Sequence, residues 1–401
     1  MATFFIRTRR MCTRRNADSQ KIYDFMVANG WAFTPNLSAA DAVILCTCAA
    51  MDSSENQTLL NLKDMLEKKK PTARLIITGC MPKIDPDRLA QLGSFEVVNP
   101  KSLEDFDSLF GAKVSIKDVP ENGVIVVPDF LPTPASAKER LKRWVAELRC
   151  GPSFFRHRVA KLKQQFKKVP ALPPSFDIRI SEGCLGTCSY CGIKFAIGQL
   201  ESRPMEGIMA QLRNGLEKGY KRIRFVASDT GCYGLDVGLT FPALLKGSLA
   251  TEGDYVLEIV DFNPQWLIRF YDPLTEVLRA HPRKVTEMVI PVQSGSNRIL
   301  KLMRRPYDID VVKDTLTRFH REFPRIRITT HFIVGFPGET RDEFKQSKRF
   351  AAELDFIEGA VFEYCDRPNT DASRMSGKTP KHVIVKRFAD LGLVLDNRHP
   401  Q

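Results

Sequence analysis

Residues 182–191 read Glu182-Gly183-Cys184-Leu185-Gly186-Thr187-Cys188-Ser189-Tyr190-Cys191. The cysteines are spaced C-x3-C-x2-C, with an aromatic residue before the third. Three thiolates on one short loop can hold three irons of a four-iron cluster and leave the fourth iron without a protein ligand. A catalytic metal site keeps such a position open, whereas a structural one closes it. A zinc loop and three unrelated thiols are the alternatives. Zinc favours paired C-x2–4-C elements closed by a fourth ligand, so the spacing fits a cluster better.

The loop sits after the first of a series of apolar runs. Strands are predicted at 177–181, 222–227, 255–260, 286–292, 327–334 and 356–363, with helices between them at, for example, 206–218, 310–322 and 343–353. Six β-α units imply an open or partial barrel rather than the closed eight-stranded one, and the cysteine loop lies on the carboxyl side, where such barrels place their active sites.

Upstream the alternation is shorter. Strands are predicted at 4–7, 42–47 and 75–78, and helices at 19–28, 54–68 and 85–92, the first of them stopped by Gly30. A β-α-β-α order implies a parallel, doubly wound sheet. Cys12, Cys48 and Cys80 each fall just beyond the carboxyl end of one of these strands, the edge where open α/β sheets gather ligands. Buried structural cysteines are the alternative. Three at one topological position favour a second cluster with its own open iron.

The 401-residue chain has room for two or three domains, and no run of about 18 apolar residues predicts a membrane span. Ten cysteines in a chain that opens without an apolar leader-like stretch predict metal work in a reducing compartment, and hence a cytoplasmic protein. Of the net charge of +13, residues 138–168 hold +9, as eleven Lys or Arg from Lys138 to Lys168 against Glu139 and Glu147. Proline-rich stretches bracket this segment, and Gly151-Pro152 divides it into two runs of helical spacing. A basic helical hairpin that binds an anionic partner is one reading, and a solvated connector is the other.

With these pieces in order, the chain resembles the radical S-adenosylmethionine (SAM) methylthiotransferases. The resemblance is carried by Cys12 with Asn16-Ala17-Asp18-Ser19, by Thr47-Cys48, by Gly79-Cys80-Met81-Pro82, and by residues 182–191. It continues through Ser202-Arg203-Pro204 and Ser228-Asp229-Thr230-Gly231-Cys232-Tyr233-Gly234. Pro291-Val292-Gln293-Ser294-Gly295-Ser296-Asn297-Arg298 and Ile333-Val334-Gly335-Phe336-Pro337-Gly338-Glu339-Thr340 complete it. The resemblance implies an enzyme that inserts sulfur into an unactivated C–H bond and transfers a methylthio group. It implies two 4Fe-4S clusters, one on Cys184, Cys188 and Cys191 and an auxiliary one on Cys12, Cys48 and Cys80. It also implies SAM used twice, as methyl donor and as radical source. Tyr190, inside the cluster loop, and Asp229, Gln293 and Ser294, at strand ends, are candidate SAM contacts; for the last three a structural turn role is the alternative.

The implied organisation is an N-terminal methylthiotransferase domain over 1–127, a basic linker or insert over 128–175, a partial (β/α)6 barrel over 176–365 and a C-terminal tail over 366–401. The family continues into a small β-rich RNA-binding domain, TRAM. Here one helix and no strand-rich segment is predicted after Lys381. Residues 228–236 look closest to the branch that modifies threonylcarbamoyl-adenosine in tRNA. Expected partners are tRNA through residues 138–168, a reducing electron donor such as flavodoxin or ferredoxin, and a sulfur source. A protein aspartate, a peptide or a small molecule is the alternative substrate. An electron-transfer protein would leave the barrel motifs unexplained, and a pure RNA-binding protein the six cysteines. Cys46, Cys150, Cys232 and Cys365 receive no role.

Overall fold

Strand β3 (Ala42–Thr47) is buried at all six positions, the continuous apolar run of a strand covered on both faces. It lies at the centre of a parallel sheet with β1 (Thr3–Arg7), β2 (Ala32–Phe33), β4 (Arg74–Gly79) and β5 (Glu96–Val98), in the order β2-β1-β3-β4-β5. Because side chains alternate along a strand, the sheet has two cores. Phe5, Val43, Leu45 and Ile77 pack with Leu62 and Met65 of helix Asp52–Lys68 on one face. Phe4, Ile6, Ile44 and Ile76 pack with Ile22, Phe25 and Phe106 on the other. Each such side chain removed from water contributes roughly 1.5–3 kcal/mol. The computed structural model describes residues 1–8, 13–123, 174–354 and 356–396; Cys12, Cys150 and the basic segment 138–168 lie outside them.

The second sheet holds β6 (Ser175–Arg179), β9 (Arg222–Val226), β10 (Val256–Ile259), β11 (Val285–Val289), β12 (Arg327–Val334) and β13 (Ile357–Glu363). All pair in parallel and in chain order, a partial (β/α)6 barrel. A two-stranded antiparallel piece, β7 (Ser181–Glu182) with β8 (Glu201–Ser202), brackets the cysteine loop. No helix among the described residues is long and apolar enough to cross a membrane.

Several expectations shift. The helix expected over 85–92 is the shorter Pro86–Ala90, and a further short helix, Met81–Ile84, precedes it. Pro86 lacks an N–H to continue the earlier helix and suits the start of the later one, which Asp85 caps by accepting from Arg88 N at 3.4 Å. The segment expected as a tail from 366 is not one. Its helix Lys381–Asp396 places Ile384, Leu391 and Leu395 in the barrel core, and Arg387 donates to Glu339 at 2.5 Å. The sixth strand needs a helix to cover it, and this one does so.

Two buried ion clusters lock the first sheet over the carboxyl end of the second. Arg179 donates to Asp18 at 2.5 Å and to Glu121 and Glu182; Arg15 donates to Asp18 and, at 3.0 Å, to Glu182. Burial pushes the Asp18 carboxyl up, against the pull of Arg15 and Arg179. On the other side Arg367 bonds Asp52 at 2.7 Å and Glu55, which Arg88 also meets. Losing one partner of such a cluster leaves a buried charge uncompensated.

Candidate active site between the two sheets

Cys184, Cys188 and Cys191 line one cavity of about 190 Å³ at the carboxyl end of the barrel. A Cβ on Gly186 would stand 3.2 Å from Cys184 Sγ and 3.7 Å from Cys188 Sγ, so both sulfurs close around this bare backbone position. Gly186 N–H donates to Cys184 Sγ at 3.1 Å, and Arg305 Nη1 to Cys188 Sγ at 3.6 Å. All three are free thiols. A hydrogen bond from Cys232 holds the Cys184 thiol low, whereas burial, then the charge of Cys188, pushes Cys191 up. Among the described residues no three His, Cys, Asp or Glu side chains converge on a single ion. A cubane takes each thiolate at a different corner, so a soft, three-thiol set on a loop fits it without such convergence.

Cys48 and Cys80 are brought together by strand register. β3 and β4 pair Thr47 with Gly79, so the next residue of each strand is a cysteine at the same edge. Cys80 N–H donates to Thr47 O at 3.2 Å, and Thr58 Oγ1 braces the Cys48 backbone. β1 lies beside β3, and Cys12, which follows it, is outside the described residues.

Cys48 also lines a second cavity, of about 390 Å³, with Tyr190, Cys191, Gln293, Cys365 and Arg367. Tyr190, Cys191, Ile193, Asp261, Gln293 and His331 border both cavities. The cysteine edge of the first sheet and the cysteine loop of the barrel therefore open onto adjoining space.

The remaining candidates divide. Tyr190, Asp229 and Gln293 face the cavities; Ser294 is fully buried in its turn, its hydroxyl accepting from Ser296 N at 3.2 Å. Asp229 already accepts from Trp266 Nε1 at 2.7 Å, Asn263 N at 3.2 Å and Gly231 N at 3.3 Å, and burial pushes its carboxyl to about 6. Cys46 lies in the sheet, its thiol pushed by burial to about 12. Arg305, Asp261 and His331 were not singled out from sequence. Arg305 is held by bonds to Tyr307 and Pro291 O, both at 2.9 Å. Nothing in an isolated charged residue reports that tertiary placement.

The chain is similar in sequence to curated methylthiotransferases. A "Probable threonylcarbamoyladenosine tRNA methylthiotransferase" of Pyrococcus horikoshii is 28% identical over 379 residues, covering 94% of this chain and 80% of the relative. "Ribosomal protein uS12 methylthiotransferase RimO" of Carboxydothermus hydrogenoformans is 26% identical over 386 residues, covering 95% and 79%. Residues 178–351 match the Radical SAM superfamily, and residues 6–98 match the family described as Uncharacterized protein family UPF0004. The chain belongs to the radical SAM methylthiotransferases. Membership makes it an enzyme of that class and implies SAM and a 4Fe-4S cluster. The methylthiotransferase also shares its fold with a radical S-adenosylmethionine methyltransferase, TsrM, of Kitasatospora setae. That match has a TM-score of 0.61 at 14% identity, covering 93% of this chain and 74% of that one.

Proposed function

We propose that this methylthiotransferase places a methylthio group on a tRNA adenosine of the threonylcarbamoyl type. One observation carries the reading: Cys48 on one wall and Cys191 on the other face the same cavity. Hydrogen removal and sulfur delivery must occur at one substrate carbon, so the groups responsible must share a chamber. Cys184, Cys188 and Cys191 would hold the first cluster, and Cys12, Cys48 and Cys80 a second. When bound, a 4Fe-4S group with one open iron supplies one-electron reduction of SAM, chemistry no side chain offers.

The protein's own residues do the rest. Gly186 N–H and Arg305 stabilise thiolate charge on Cys184 and Cys188. SAM would lie beside Tyr190, Asp229, Gln293 and Ser294, the last acting through its turn. Residues 1–127 would form the sulfur-bearing unit, and residues 138–168, with +9 charges, would bind tRNA phosphates. A reduced flavodoxin or ferredoxin and a sulfur source complete the partners. The adenosine reading is supported by residues 228–236 and by the names of the archaeal relatives. The similarity to RimO supports a second reading, a protein aspartate.

Anaerobic reconstitution should load about eight irons, and about four after Cys184, Cys188 and Cys191 are replaced by Ala. Nucleosides digested from tRNA treated with the loaded wild type should show a methylthio mass gain. A gain on an aspartate peptide and none on tRNA would replace this reading with the second.

A further inference from the structure

Four described non-glycine residues have φ in the left-handed region, among them Asp261 at 57° and Gln293 at 72°. Such backbone is strained for a residue with a side chain and gathers at functional sites. These two lie just beyond β10 and β11, and His331 lies in the adjacent β12. Gln293 N–H donates to His331 O at 2.7 Å, and Ile333 N–H to Gln293 O at 2.9 Å, so the backbones are tied. All three side chains border both cavities.

Their polar atoms are unused. Among the described residues the Asp261 carboxylate and the His331 ring make no hydrogen bond, and no Lys or Arg forms an ion pair with Asp261. Gln293 Oε1 is buried without a partner. Phe362 meets the His331 ring edge-on, with centroids 5.1 Å apart at 84°. Burial, opposed by Asp261, lowers the His331 pKa, so the neutral imidazole offers one donor and one acceptor.

We propose that Asp261 and His331 are specificity-determining residues that read the hydrogen-bonding edge of the substrate base, Asp261 accepting from an N–H of the purine. The proposal rests on the adenosine reading above. At this edge a nucleobase N–H would complete the unpaired Asp261 carboxylate, whereas the side chain of a protein aspartate presented there would be repelled. Phe362, beside the ring, presents apolar surface to the flat base.

The test uses the full chain with both clusters reconstituted, and tRNA from cells lacking the enzyme. Asp261→Gly removes the carboxylate at a backbone glycine adopts freely. Asp261→Asn keeps the shape, loses the charge and also tolerates this φ. Methylthiolation kcat/KM should fall about tenfold or more for the Gly variant and by less for Asn, since a hydrogen bond to a charged group is lost in full or in part. His331→Leu should lower it about fivefold, the loss of a neutral hydrogen bond. Deoxyadenosine release without substrate, and tRNA affinity, should stay within about twofold, because phosphate contacts carry affinity. Unchanged kcat/KM in all three variants on a wild type that modifies tRNA would overturn this inference alone. Loss of substrate-free deoxyadenosine release would overturn it too, by showing damage to the radical site. A wild type that modifies only a peptide would remove the adenosine reading and this inference together.

Discussion

Gly79 shows how much one position can carry. Its φ is +93°, and a Cβ there would stand 2.3 Å from Thr47 O and 2.7 Å from Thr47 N, both backbone atoms of the neighbouring strand. Only the absence of a side chain lets β3 and β4 close up so that Cys48 and Cys80 emerge together. Gly79→Ala should therefore destabilise the N-terminal sheet by about 2 kcal/mol or more, read as a lowered melting temperature. Iron bound after reconstitution should fall from about eight toward four, with substrate-free SAM cleavage kept. An unchanged iron content would detach this glycine from the second site. The cysteines themselves were legible by spacing. Asp261, His331 and Arg305 were not, because what distinguishes them is a strained φ, an unused carboxylate or a buried charge, none of which leaves a local sequence pattern.

At the scale of elements, helix Arg341–Glu353 begins with a reciprocal cap. Thr340 Oγ1 accepts from Glu343 N at 3.2 Å, and Glu343 Oε2 accepts from Thr340 N at 2.9 Å. The helix was expected from residue 343; the cap moves its start forward, because the third helical residue bonds back to the residue before the first. Thr340→Ala should cost about 1 kcal/mol. A hydrogen bond from Arg298 holds the Glu343 carboxyl down, from an ordinary value of 4.5 to about 2. A depressed carboxylate stabilises the fold fully above its unfolded value and loses that contribution as pH falls through the folded one. Melts of wild type and Glu343→Gln should thus differ at pH 6 and converge between pH 4.5 and about 2. A constant gap would mean that the charge of Glu343 is not what stabilises the start of this helix. The strands missed from sequence, β2, β5 and β8, have two or three residues, too short for any periodicity to show.

For the whole molecule, the decisive contact is between sheets. Arg367, which follows the last barrel strand, reaches Asp52 and Glu55 on the helix after Cys48. Arg367→Ala would leave Glu55, which is 1% exposed, with Arg88 alone, at a cost of about 3 kcal/mol. The two cysteine loops would then lose their fixed separation. Methylthio product should drop at least tenfold, because a misplaced reacting pair is costly, while deoxyadenosine formation without substrate persists. Wild-type product formation in Arg367→Ala would show that the chamber is held by the Arg179 cluster instead.

What the sequence alone determined is local: where the longer strands run, and that cysteines follow some of them. Apolar runs of strand length and a C-x3-C-x2-C loop are short-range patterns, and both parallel sheets formed where those patterns placed them. What only the tertiary structure decided is how the pieces face one another. Register set Cys48 beside Cys80, the ion clusters of Arg179 and Arg367 turned that edge toward the barrel mouth, and the last helix joined the barrel core instead of trailing from it. These are contacts between residues as far as 315 positions apart. Strand register, apolar packing and the pairing of buried charges between residues distant in sequence decide them, and no local pattern records such contacts.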